Sequence, residues 1–230
     1  MTKKGFDKEC HKQILLRLLV DIYKEFGGRL GFKGGTCAYL FYDLPRISLD
    51  LDFDMLDKFE NKDIDALKSI FTKKTEIKDF RDKKFTLFFL LDYEKNTPNI
   101  KVELNKRLWE NNRYKNILFL GIQIKIADEA TLLTNKIVAL TDRKAPVARD
   151  LFDVCYLLKL GYPLTEELIK ERTGKSKGEY LGGLARFIEK NFSEKNILYG
   201  LGEVLEEKQK EWVRKELIKE TLEDIKKRLK

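Results

Sequence analysis

The sequence predicts an α+β chain in which a mixed-sheet portion is followed by a helical one. Three observations predict it. Seven short runs between Leu30 and Ile126 carry the alternating or continuously apolar pattern of strands. From Asp128 onward, apolar positions recur at helical spacing instead, and no repeat or low-complexity linker interrupts the chain. The expected division is therefore residues 1–127 as a sheet-bearing core and residues 128–230 as a helical domain.

Ile14, Leu15, Leu18, Leu19, Ile22 and Tyr23 recur at helical spacing, so Phe6 to Phe26 reads as an amphipathic helix that Gly27-Gly28 ends. A short strand over Leu30 to Lys33 leads to Gly34-Gly35-Thr36, where Thr36 is placed to cap a helix carrying Ala38, Leu40 and Phe41. Pro45 stops that helix. Ser48 to Met55 then alternates without a break, which predicts a strand with Ser48, Asp50, Asp52 and Asp54 on one face and Leu49, Leu51, Phe53 and Met55 on the other.

Asn61 to Phe71 reads as a helix capped by Asn61, and strands are expected over Thr75 to Phe80, Phe85 to Tyr93 and Asn99 to Asn105. In the last of these, Ile100, Val102 and Leu104 oppose Lys101, Glu103 and Asn105, which puts a carboxylate on the polar face of a core strand. Ile117 to Leu120 and Ile122 to Ile126 complete the sheet. Helices follow over Glu129 to Leu140, Pro146 to Leu160, Thr165 to Arg172, Gly178 to Asn191 and Lys208 to Leu229, the last with an apolar stripe from Trp212 to Leu229.

The 230 residues are 43% hydrophobic, enough for a sizeable core, and 37% charged. A net charge of +8, spread along the chain, favours a polyanionic partner such as RNA, although excess lysine also serves solubility. No segment approaches the apolar length of a membrane span, and Met1 to Gly5 runs into a charged stretch, so a cytoplasmic protein without membrane contact is expected. Cys10, Cys37 and Cys155 are too scattered for a disulfide framework or a zinc site. The single histidine, His11, reads as a surface residue, which argues against histidine-based catalysis.

Three aspartates on one strand face repel one another unless a cation sits above them, and a divalent metal is the obvious candidate. The glycine corner offers backbone amides and a hydroxyl at a helix start, a setting that accepts phosphate oxygens. Together they suggest a nucleoside triphosphate with its phosphates on Gly34, Gly35 and Thr36 and its metals on the acids. Asp50 and Asp52 are placed to bridge two ions and Glu103 to complete the nucleophile-side site; such hard oxygen donors select Mg²⁺ or Mn²⁺. An edge strand is commonly half polar, which accounts for Glu103 equally well, and Asp54 reads as a charged strand end. Lys33, Arg46 and Ser48 lie near the corner in sequence, as phosphate contacts or as partners of the acids.

Gly-Gly-Thr, thirteen residues and then Asp50-Leu51-Asp52, with Leu44-Pro45-Arg46 and Ser48 between, resembles the signature of the polymerase-beta-like nucleotidyltransferases. More narrowly it resembles the AbiEii/AbiGii nucleotidyltransferase toxins of abortive-infection, toxin–antitoxin systems. Threonine stands where many relatives have serine, and the spacing is at the long end. The resemblance covers about Leu30 to Leu160 and implies a third acid in a strand like that of Glu103. It also implies a phosphate-contacting helix lysine, matched by Lys136, and an Arg-Asp-x-x-Asp segment, matched by Arg149-Asp150-Leu151-Phe152-Asp153. Composition alone makes these a helix lysine and an ion pair; the resemblance favours Lys136 and Asp150, ahead of Asp153, as functional.

The expectation is thus a metal-dependent nucleotidyltransferase with a polymerase-beta-like core, its active-site cleft completed by the helical domain. It transfers a nucleoside monophosphate to an acceptor hydroxyl, by resemblance the 3′ end of tRNA, under control of an antitoxin. The alternatives are a catalytically inactive module that binds nucleotide or RNA, an enzyme modifying protein, and a metal-dependent nuclease using the same acids.

Overall fold

The computed structural model describes residues 7–95, 97–143, 145–202 and 205–229. The charged start from Met1 to Gly5, like the Phe6 end of the first expected helix, lies outside the described residues. The chain divides into two compact units. One takes the described parts of Met1–Phe41 with Ser48–Leu108 and Tyr114–Ala127; the other takes Tyr42–Ile47, Trp109–Arg113 and the described part of Asp128–Lys230.

Among the described residues the first unit is a seven-stranded mixed sheet with three α-helices. Its elements are α1 (Lys8–Phe26), β1 (Leu30–Lys33), α2 (Gly34–Phe41), β2 (Leu51–Met55), α3 (Asn61–Thr72), β3 (Glu76–Lys83), β4 (Thr86–Asp92), β5 (Ile100–Asn105), β6 (Tyr114–Phe119) and β7 (Ile122–Ala127). The strand order is β3-β4-β5-β2-β1-β7-β6. β2 runs antiparallel to β1 and parallel to β5, and these pairings set Lys33 opposite Asp52 and Asp52 opposite Glu103. Because side chains alternate along a strand, Phe53, Leu87, Phe89, Val102 and Leu104 all turn inward and are fully buried, together with Leu18, Leu19 and Ile22 of α1 and Leu67 and Phe71 of α3. Phe71 and Phe89 meet edge to face, 4.9 Å between ring centres.

The acidic strand is shorter than its alternation predicts, beginning at Leu51 and leaving Ser48 to Asp50 irregular. The cause is local. The Leu49 carbonyl faces the His11 ring, 3.2 Å from Nε2, and the Asp50 carbonyl accepts the Thr36 hydroxyl, so side chains hold this segment where a strand ladder would have. Thr36 therefore does not cap α2, which already starts at Gly34. Similarly, α3 is capped by Glu60, reciprocally with Asp63, and not by Asn61.

His11 is a buried residue, 1% exposed, and not a surface one. A carbonyl can only accept, so Nε2 carries the proton toward Leu49, and Nδ1 accepts the Tyr93 hydroxyl at 2.9 Å. The signal was its spacing: His11 lies four and seven residues ahead of Leu15 and Leu18, on the buried stripe of α1.

The second unit is helical: α4 (Glu129–Asp142), α5 (Ala148–Lys159), α6 (Glu166–Thr173), α7 (Lys177–Asn191), α8 (Glu207–Lys215) and α9 (Leu217–Leu229). Asp128 caps α4 by accepting Thr131 N–H, and Ser176 and Glu179 form a capping box on α7. The single helix expected over Lys208 to Leu229 is broken at Glu216, where φ is −119°. The break lets Trp212 of α8 meet Phe152 of α5 edge to face while Leu217 and Ile225 of α9 stay fully buried. Two segments from the first half of the sequence belong here for identifiable reasons. Glu171 accepts the Glu110 and Asn111 N–H groups, and Arg172 stacks on Trp109, while the Asp43 carbonyl accepts the Tyr156 hydroxyl. Among the described residues no helix is long and apolar enough to cross a membrane.

Burial lowers the His11 pKa below its ordinary 6.5, against the opposing pull of the Leu49 carbonyl and the Asp50 charge. The unfolded chain takes up that proton near pH 6.5 and the folded one resists it, so folding stability is full above that pH and falls below it, by at most about 1.4 kcal/mol per pH unit. Urea midpoints compared at neutral and mildly acidic pH should show a decline, and His11→Gln should remove its histidine-dependent part.

Candidate functional site

Gly34 is where β1 becomes α2, and it has φ +81°, a conformation that glycine adopts without strain. A Cβ there would lie 2.9 Å from both Cβ and Cγ of Asp52, so only glycine lets the corner and the acid sit this close. Gly35 and Thr36 follow in the first turn of α2, both buried, and the Thr36 hydroxyl ties the corner to the Asp50 carbonyl. Asp50 and Asp52 are half-buried and Glu103 is exposed on the strand beside Asp52. The donor set is all carboxylate, with no imidazole or thiolate among it. A hard divalent cation fits this chemistry, and Asp52 and Glu103 sit side by side by register. As placed, no group of three His, Cys, Asp or Glu side chains is gathered as a metal cage among the described residues. Ser48 is half-buried just ahead of Asp50.

Asp54 shares the strand with Asp52 but is no mere charged end. It is 2% exposed and accepts three donors: Lys33 Nζ at 2.5 Å, Asn105 Nδ2 at 2.8 Å and the Tyr114 hydroxyl at 2.6 Å. The phenol reaches it across Gly31, where a Cβ would come within 2.7 Å of the Tyr114 ring. Lys33 is thereby assigned to Asp54, although its register partner is Asp52. A glycine inside a strand marks such a close approach and was the available signal; nothing in the sequence named Tyr114 as the visitor.

In the helical unit, Asp153 is fully buried between two cations. Arg46 grips it with Nε at 2.5 Å and Nη2 at 2.6 Å, and Lys136 Nζ lies 2.7 Å from Oδ2. Burial pushes the Asp153 pKa upward, but the Arg46 and Lys136 charges outweigh it and hold the carboxyl below its usual range. Lys136 thus pairs with Asp153 and not with Asp150, whose Oδ2 lies 2.7 Å from Arg143 Nε. The sequence offered both acids on one helix face; the structure brings together Lys136, Asp153 and Arg46. The group carries a net +1, with Lys136 as its more exposed cation, at 12% against 3% for Arg46.

Removing one partner of a buried pair strands the other. Arg46→Met should lower the unfolding free energy by on the order of 3–5 kcal/mol. Lys215→Ala, which breaks the exposed pair with Glu211, should leave the urea midpoint close to the parent's, and urea unfolding of both variants compares the two.

A family model described as "Nucleotidyl transferase AbiEii toxin, Type IV TA system" matches residues 17–229. A search of curated proteins found no match. Among solved structures, JHP933 from Helicobacter pylori is similar at 20% identity with a TM-score of 0.57, over 97% of this chain and 96% of that one. A second H. pylori crystal structure, named only provisionally as a nucleotidyltransferase, is similar at 20% identity and a TM-score of 0.58, over 99% and 98%. At that identity the two structures speak for the α+β fold, whereas the family match spans nearly the whole sequence. The chain belongs to the AbiEii nucleotidyltransferase toxin family of type IV toxin–antitoxin systems.

Proposed function

We propose that this nucleotidyltransferase moves a nucleoside monophosphate from a nucleoside triphosphate to an acceptor hydroxyl at the 3′ end of tRNA. The observation that carries the reading is the pairing of Asp52 with Glu103 beside a corner where Gly34 touches the Asp52 side chain. In this reading the acceptor oxygen attacks the α-phosphorus in line. The new P–O bond forms as the bond to pyrophosphate breaks, and the hydroxyl proton passes to water.

The amides of Gly34, Gly35 and Thr36 receive phosphate oxygens at the start of α2, where the helix dipole favours negative charge. Asp50, Asp52 and Glu103 would hold a divalent cation, Mg²⁺ or Mn²⁺, which when bound supplies Lewis acidity at the reacting phosphate. Ser48 adds a hydroxyl next to these acids. Lys136 is assigned to the triphosphate, because Asp153 holds its ammonium in place while the group keeps a net positive charge. Asp150, paired with Arg143, is given the supporting role of fixing the start of α5. Membership of the family implies an antitoxin partner, and the cytoplasm is the proposed setting.

Purified protein incubated with total tRNA, Mg²⁺ and each α-labelled triphosphate in turn should place label in RNA. Asp52→Ala, or chelation of the metal, should reduce incorporation by at least about 100-fold. Label appearing in protein would move the acceptor class to a protein hydroxyl, and RNA labelling undiminished in Asp52→Ala would overturn the assignment of the acids.

A further inference from the structure

The face of the sheet that carries Asp52 and Glu103 continues outward over β5, β4 and β3. The register gives one cross-strand row as Lys33, Asp52, Glu103, Phe88, Arg81, and the rows on either side supply Asn105, Thr86 and Lys83, and Lys101, Leu90 and Asp79. A strand half exposed to water should be polar on this face. β4 instead places Phe88 and Leu90 there, both half-exposed, while Leu87, Phe89 and Leu91 fill the opposite side. Arg81 lies over the Phe88 ring, 5.9 Å from its centre. At the β3–β4 turn Phe85 is 41% exposed, with Arg107 stacked on it at 4.0 Å and Lys84 at 5.1 Å.

Charge along this strip is unequal. Asp79 and Asp82 are engaged by Arg81 and Lys106, leaving Lys83, Lys84, Lys101 and Arg107 as a cationic surplus around the two aromatic rings. Exposed rings interleaved with cations suit unpaired nucleotides, whose bases stack and whose phosphates need countercharge. Phe88 stands one strand spacing from Glu103, about 5 Å, and two from Asp52, so a nucleotide stacked there would present its ribose toward the acids.

We infer that the outer face of β3, β4 and β5 is the platform for the single-stranded end of the acceptor RNA, with bases on Phe88 and Phe85 and phosphates against Lys83, Lys101 and Arg107. This rests on the proposal that the acceptor is an RNA end, and it adds where that end lies and which side chains hold it. A base belonging to the triphosphate and a protein segment are the competing occupants of the same rings.

The test reads binding without turnover, in Asp52→Asn protein, by fluorescence anisotropy of a short 5′-labelled single-stranded oligoribonucleotide. Phe88→Leu, which keeps bulk and loses the ring, should weaken binding roughly 10-fold, and Phe88→Tyr should restore it. Arg107→Ala should lower the salt slope by about 1, and Lys219→Ala, at an exposed lysine of α9 outside the strip, should change nothing. Affinity for a triphosphate analogue alone should be the same in all four.

Loss of triphosphate affinity in Phe88→Leu with RNA binding intact would reassign the ring to the incoming base and overturn the platform. Equal RNA binding by Phe88→Leu and its parent, or no RNA binding by the parent protein, would overturn it too. The two proposals fail separately. Ring-dependent RNA binding without any transfer to RNA keeps the platform and removes the acceptor reaction, whereas transfer to RNA indifferent to Phe88 does the reverse.

Discussion

Parallel pairing of β2 with β5 sets Asp52 beside Glu103 on one sheet face, at the spacing of adjacent strands, about 5 Å. Two carboxylates at that separation repel, and a sheet selected only for stability would put a cation or a neutral residue in one of the places. The pairing persists because the inward sides of the same strands are committed: Leu51, Phe53, Val102 and Leu104 are all fully buried, and a slip of one residue would expose every one of them. The core therefore fixes the two carboxylates side by side, and the glycine corner is built against that position, with Gly34 in contact distance of Asp52.

Asp54 makes the comparison within one strand. It points to the same face as Asp52, two residues on, and there it meets an ammonium, an amide and a phenol. What separates the two is the neighbouring row. Gly31 leaves room for the Tyr114 ring over Asp54, whereas Asp52 has the backbone of Gly34 above it and a second carboxylate at its side. A structural acid and a candidate ligand are thus distinguished by their neighbours and not by their position in the alternation.

That distinction marks the limit of what the sequence disclosed. The mixed sheet followed by helices was legible because strand alternation and helical spacing are set by local backbone geometry, and the Asp-x-Asp pair with its glycine corner was legible because both lie in one continuous stretch. The end of β2 at Leu51 was not, since it depends on His11 and Thr36 reaching carbonyls 38 and 14 residues away. The choice between Asp150 and Asp153 was likewise out of reach, because both lie on one helix face and only the position of Arg46, 107 residues from Asp153, decides between them.

The Arg46 grip also bears on what Lys136 is free to do. A lysine on a helix surface carries about 2 kcal/mol of rotamer entropy, which an anion must overcome to fix the ammonium. Here Asp153 has already fixed it within the fold, at 2.7 Å. A carboxylate shared with one lysine alone would neutralise the charge it positions. Because Arg46 occupies both oxygens of Asp153 as well, the group retains one positive charge, and Lys136 is its more exposed member. An arrangement with two cations on one buried acid thus orders the lysine without cancelling its charge, which is the preorganisation that the proposed contact with the triphosphate calls for.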